Sequence, residues 1–114
     1  MKVLFDHVLL RDDKVHYPDP EVAWLDCFDV DNVIFGIINE TDKIVAIQPI
    51  GRAGGALGNL GSATNVAANS ETVVGLNLQS YWSPYVSCSI KAASEPSPGG
   101  RITVYLIWRE RGYS

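Results

Sequence analysis

Val86-Ser87-Cys88-Ser89-Ile90-Lys91-Ala92 is the stretch that decides the fold. Side chains alternate along an extended chain, so Val86, Cys88, Ile90 and Ala92 share one face and Ser87, Ser89 and Lys91 the other. A strand of this kind buries one face and wets the other, which is the habit of antiparallel sheets packed on a core. Arg101-Ile102-Thr103-Val104-Tyr105-Leu106-Ile107-Trp108 shows the same parity, with Ile102, Val104, Leu106 and Trp108 inward. Its other face, Thr103, Tyr105 and Ile107, is also largely apolar. That fits either a central strand covered on both sides or a strand lying in a subunit interface.

Outward from these two segments, further strands are expected at residues 24–30, 33–39, 43–50 and 71–78, with a short one near Leu60 and another at 2–10. Between them lie Asp31-Asn32, Glu40-Thr41-Asp42, the glycine-rich stretch 51–61, Ala68-Asn69-Ser70, Ser83-Pro84 and residues 94–100, all rich in turn formers. Turn signals about 8–12 residues apart mark sandwiches and barrels. The expected fold is all-β, an antiparallel sandwich or jelly-roll-like body of seven to eight strands. No segment carries a helical stripe, and Pro20 favours at most a helical turn within 19–23. Residues 11–23, with Pro18 and Pro20, read as an extended connection, since proline blocks regular pairing. The chain of 114 residues therefore divides into an N-terminal strand and extended arm at 1–23 and a sandwich body at 24–114, ending in a polar tail from Arg109.

Composition narrows the function classes. Hydrophobic residues at 46% against 19% charged residues describe a folding chain, not a disordered one. A net charge of -4 without a basic block opposes nucleic-acid binding and attachment to anionic membranes. No window approaches the ~18 consecutive apolar residues of a membrane span. The apolar run at the N-terminus is interrupted by Asp6 and His7, so no export signal is read and synthesis in the cytoplasm is expected. In that compartment Cys27 and Cys88 are expected as small buried hydrophobes and not as a disulfide. Acidic residues crowd the first third: Asp6, Asp12, Asp13, Asp19, Glu21, Asp26, Asp29 and Asp31. They form either a solvated face or an arm steered toward a basic partner.

No catalytic, cofactor-binding or metal-ligating residues are assigned, and the chain is read as non-enzymatic. A Gly-x-Ser-x-Gly elbow is missing. His7 and His16 lack an identifiable orienting partner. Asp26, Asp29 and Asp31 fall short of a calcium loop. The run Gly51-Arg52-Ala53-Gly54-Gly55-Ala56-Leu57-Gly58 has the glycine of a phosphate loop without its Gly-Lys-Ser/Thr ending. Neither cysteine has the close spacing of a zinc ligand pair. Aromatic residues gather at Tyr81-Trp82-Ser83-Pro84-Tyr85 and again at Tyr105, Trp108 and Tyr113. These suit a core corner, a subunit interface or, as an alternative, a carbohydrate-stacking surface.

Leu60-Gly61-Ser62-Ala63-Thr64-Asn65-Val66-Ala67-Ala68-Asn69-Ser70, then Ser83-Pro84-Tyr85-Val86, then Gly99-Gly100-Arg101-Ile102-Thr103-Val104-Tyr105-Leu106, resemble small β-sandwich proteins of tailed-phage virions. Those proteins read as an LGSAT…AN(S/T) turn, a YPYV strand entry and a closing G.(I/L)TVYL strand. Trp24-Leu25-Asp26-Cys27-Phe28-Asp29-Val30 followed by Val33-Ile34-Phe35 is similar to their opening pair. The quoted stretches lie between residues 24 and 106 and comprise 33 of the 114 residues. It implies a capsid decoration or cement protein on the virion surface that bridges neighbouring major capsid subunits, often as a homotrimer, with no catalytic residues to carry over. Relatives place a polar loop with a tryptophan before the Leu-Gly-Ser turn. Gly54-Gly55-Ala56-Leu57 stands there instead, which speaks against receptor binding by that loop.

Two sets of contact residues are expected. Thr103, Tyr105 and Ile107, with Tyr81, Trp82 and Tyr85, lie in or near a homo-oligomeric contact, and the arm reaches a partner subunit through Val8, Leu10, His16 and Tyr17. A tail-fibre or carbohydrate- and receptor-binding sandwich is the alternative. A small jelly-roll enzyme is the weakest reading, because such sites need clustered histidines and carboxylates on strands.

Overall fold

A computed structural model describes residues 1–110. Arg109 and Glu110, expected in a polar tail, belong to the last strand, and Arg111 to Ser114 lie outside the described residues. The elements are β1 (Lys2–Leu9), β2 (Leu25–Asp26), β3 (Val30–Glu40), β4 (Val45–Ala53), β5 (Ala56–Asn59), β6 (Thr64–Val66), β7 (Ser70–Asn77), β8 (Tyr85–Ala92) and β9 (Arg101–Glu110). They form two antiparallel sheets. The first has the order β1-β9-β3-β7 and the second β2-β8-β4-β5, with β6 pairing β4 farther along the same edge. The ninth strand, beyond the seven or eight expected, is the three-residue β6. No helix is present among the described residues, hence none long and apolar enough to cross a membrane.

The parity of β8 and β9 builds the core. Val86, Cys88, Ile90 and Ala92 meet Ile102, Val104 and Leu106 across the sandwich, joined by Val33, Phe35 and Ile37 of β3 and Val45 and Ile47 of β4. Both cysteines are free and buried. Burial, and then the Asp26 charge, push the Cys27 thiol up to about 11, and deeper burial raises Cys88 further.

Ser87 and Ser89 depart from the wet face expected of them. Both are buried, while Lys91 alone is exposed. The registers β8–β4 and β8–β2 set Ser87 beside Ile50 and next to Trp24, and Tyr85 beside Arg52. The Arg52 guanidinium lies 5.1 Å from the Trp24 ring centre and 5.6 Å from that of Tyr85, so a clasp of side chains roofs the outer face of the second sheet.

Three other differences have local causes. The strand expected at 24–30 shrinks to two residues because the Asp26 carboxylate accepts the Phe28 N–H at 3.1 Å and turns the chain. Strands run further into the stretch 51–61 than expected, while its glycines make the hairpin connection with positive φ that they suggest: Ala53 pairs with Ala56 around Gly54-Gly55, and a φ of 61° at Gly54 gives the pattern of a type II′ turn. The arm is strapped to its own body. Leu4, Phe5 and Leu10 enter the core, and His16 exchanges two backbone hydrogen bonds with Ile90, at 2.8 and 3.0 Å. A reach to a partner subunit through Leu10 is therefore corrected, since an apolar anchor at 2% exposure has nothing left to offer a neighbour.

One polar side chain stitches the sheets together at the end opposite Gly54. Asn39 of β3, 1% exposed, donates to the carbonyls of Lys43, Val66 and Ala67 at 2.8, 3.2 and 3.1 Å. Its Oδ1 accepts the Thr41 N–H and hydroxyl at 3.0 and 2.7 Å. A buried amide so fully paired fixes the relative placement of β3, β6 and the β3–β4 turn.

Candidate functional site

The outer face of the first sheet carries a cluster of exposed apolar side chains. Its side chains come from β7, β3 and β9 in rows set by the register: Gly75, Ile34 and Ile107; then Val73, Gly36 and Tyr105; then Glu71, Ile38 and Thr103. Val73 is 68% exposed, Ile107 44% and Ile34 42%, values far from those of a covered sheet face. Gly36 and Gly75 contribute no side chain, so a shallow trough runs between Val73, Ile38 and Tyr105. Rows lie about 7 Å apart and strands about 4.8 Å apart, so neighbouring side chains of the patch are within reach of one another. Parity puts Arg109 beyond one end and Glu40 and Arg101 beyond the other. An apolar centre with a charged rim is the anatomy of an interaction surface.

β9 is an inner strand of this sheet, between β1 and β3, so only its outer side chains are available for contact. Of the three expected there, Tyr105 and Ile107 are at the surface. Thr103 is fully buried, a second correction: the bulged β1 folds over it, and its Oγ1 accepts the His7 N–H at 3.2 Å. Arg101 donates to the His7 carbonyl at 2.7 Å and closes the same corner.

The remaining expected contact residues do not join this face. Tyr81 and Trp82 sit in the β7–β8 connection, 48% and 49% exposed, beside Phe28, 58% exposed. Phe28 and Trp82 meet edge to face with ring centres 5.8 Å apart, and Trp82 Nε1 donates to the Cys27 carbonyl at 3.3 Å. Tyr85 is elsewhere, against Arg52 on the second sheet. Val8 and Tyr17 are exposed near the strapped segment, where His16 is half-buried with its Nε2 2.8 Å from Asp12. The ten residues are thus dispersed over several regions.

Ile34, Ile38, Val73 and Phe28 were not singled out by sequence. Ile34 and Ile38 carry a signal, because they alternate with Val33, Phe35 and Ile37 and make β3 apolar on both sides, as β9 is. Phe28 does not, since the Asp26 turn that exposes it reads as strand.

Among the described residues no three His, Cys, Asp or Glu side chains gather as a metal site. The two depressed carboxyls are held low by local hydrogen bonds: Asp12 by the Lys14 N–H and then His16, and Asp42 by the hydroxyl and then the N–H of Ser97. No protein-family model, no curated protein and no solved structure matches the chain.

Proposed function

We propose that this protein is a non-enzymatic virion component, a capsid decoration or cement protein that lays the outer face of its first sheet on neighbouring major capsid subunits. The observation that carries this reading is the open cluster of Val73, Ile34 and Ile107 around Gly36 and Gly75. Exposed apolar area on a sheet face is unfavourable in water and is stabilised when a partner covers it. The phage capsid as partner rests on the resemblance carried by residues 60–70, 83–86 and 99–106, and places the protein on the virion surface. Incubation with shells lacking their decoration protein tests it. Saturable binding and greater heat resistance of the decorated shell are expected, because a ligand of the assembled state stabilises that state. Ile107→Lys should weaken binding at least tenfold with the fold intact by circular dichroism. Wild-type protein that does not bind saturably ends the reading.

The exposed Phe28, Tyr81 and Trp82 side chains favour a second reading, a carbohydrate- or receptor-binding module. Aromatic rings fixed at a loop end, as Trp82 is by its bond to Cys27, present a stacking platform. Glycan-array binding that is lost in Trp82→Ala and kept in Ile107→Lys would select it over the capsid reading.

A further inference from the structure

A two-layer sandwich has four sheet edges, and each exposes backbone donors and acceptors that invite another strand. Three are blunted here. Along β1 the register shifts between Val3 and Phe5 and again between Phe5 and Val8, His7 adopts a φ of 50°, and its N–H and carbonyl are taken by Thr103 and Arg101. The β2 edge has two residues, and beyond them His16 already occupies both backbone groups of Ile90. On the remaining edge of the second sheet, β5 and β6 have four and three residues, interrupted at Gly61, whose φ is 71°.

β7 differs on every count. It runs for eight residues, Ser70-Glu71-Thr72-Val73-Val74-Gly75-Leu76-Asn77, in unbroken register with β3 and with no proline, lysine or bulge. Among the described residues it pairs with β3 alone. Even its inward-facing Thr72 and Val74 are only half-buried, as expected of a strand with nothing beyond it.

We propose that β7 is a self-association edge: a second copy of this chain adds its own β7 antiparallel across a two-fold axis at Val74, making one eight-stranded sheet. Charge and size select a second copy. With the axis at Val74, Glu71 of one copy lies opposite Asn77 of the other, so the only charge on the strand never meets itself. Thr72 then faces Leu76. Val73, the most exposed apolar side chain of the sheet, faces Gly75, where no atom lies within 4 Å of the position a Cβ would take. A large side chain thus fits beside an empty position on each side of the axis, and the pair is self-complementary as a two-fold contact requires. The contact is closed, because each copy uses its one open edge. It also joins the two outer faces into a doubled apolar surface.

Sedimentation equilibrium from micromolar to millimolar protein, with no capsid present, tests the edge independently of the proposed function. The expected result is a monomer–dimer equilibrium, weakened at least tenfold by Val73→Lys and unchanged by Ile107→Lys. A wild-type monomer throughout that range overturns the proposal. So does a dimer that Ile107→Lys disrupts as strongly, since the contact would then be the face and not the edge. Cysteine cross-linking provides a readout that does not depend on tolerance of a charge. Val74→Cys sets two thiols directly opposite each other with Cβ atoms about 4.5–5.5 Å apart, so that a small inward shift closes a disulfide, while the native cysteines are buried. Oxidation should yield a covalent dimer from Val74→Cys and none from Leu57→Cys on β5, and the reverse pattern overturns the assignment.

Discussion

The two sheets share one core and treat their outer faces in opposite ways. On the second sheet Ile50 and Ser87 are 5% and 0% exposed, although the register points both away from the core, because Trp24, Arg52 and Tyr85 lie on the same side. On the first sheet Ile34, Val73 and Ile107 occupy equivalent outward positions and stay open. The chain has aromatic and cationic side chains available for one roof and builds none for the other. The difference separates apolar residues that serve the protein's own stability from those left for a partner, a distinction that composition cannot make.

The strongest way to break the comparison is to truncate matching residues on the two faces. Ile50→Ala removes a covered side chain and leaves a cavity under the Trp24 and Arg52 clasp. A loss of about 2–4 kcal/mol is expected in urea denaturation. A loss below about 1 kcal/mol would mean that the roof is loose and the two faces are alike. Removing the clasp itself should cost less. Arg52→Ala forfeits two ring contacts and the packing of the aliphatic stem, but it also deletes Nε, a buried donor without a partner among the described residues. The balance is a loss of about 1–2 kcal/mol, read from the same denaturation.

Sequence made the inner half of this arrangement legible and the outer half only in part. Val86 to Ala92 and Ile102 to Leu106 announce the core by alternation, since parity alone decides which side chains face inward. Parity is silent about what covers the far side. Ser87 looks like a solvent-facing serine until the Trp24 and Arg52 roof, assembled from distant segments, is known. Asn39 reads as the last residue of a strand, and two of its five hydrogen bonds depend on β6 and the residue after it, a strand too short to show in the pattern. Leu10 reads as a partner contact because it lies on an N-terminal arm that Pro18 and Pro20 mark as extended. What ties the segment down is a pair of backbone bonds at His16, and backbone bonds leave no mark in side-chain chemistry.

Acid sharpens the comparison from the side of the straps. Asp12 secures the segment that runs to the second sheet, and Asp42 holds Ser97 at the far end. Both carboxyls sit below the ordinary aspartate value of about 3.9. A group depressed in the folded state adds stability above its unfolded pKa and loses that contribution as pH falls through its folded one. The urea midpoint should therefore drop as pH is lowered from 5 toward 2. Asp12→Asn and Asp42→Asn should each flatten that slope, and an unaltered slope in the double variant would remove both groups from the account. Because both carboxyls are exposed, the effect should be smaller than that of Arg52→Ala.

The smallest expected change in stability is the most informative about function. Ile107→Ala removes the same side chain as Ile50→Ala from the same kind of outward position on a central strand, yet none of the described residues covers it as the clasp covers Ile50, so no enclosed cavity forms. Only the lower strand preference of alanine remains, and urea denaturation of dilute protein should show a loss within about 0.5 kcal/mol. A loss approaching that of Ile50→Ala would show that the first sheet's face belongs to the protein's own packing, and the proposal of a partner there would lose its support. If stability is unchanged while capsid binding falls, the apolar cost of Ile107 is borne by the free chain and repaid only in the assembly. That combination is the signature of a residue retained for contact and not for folding.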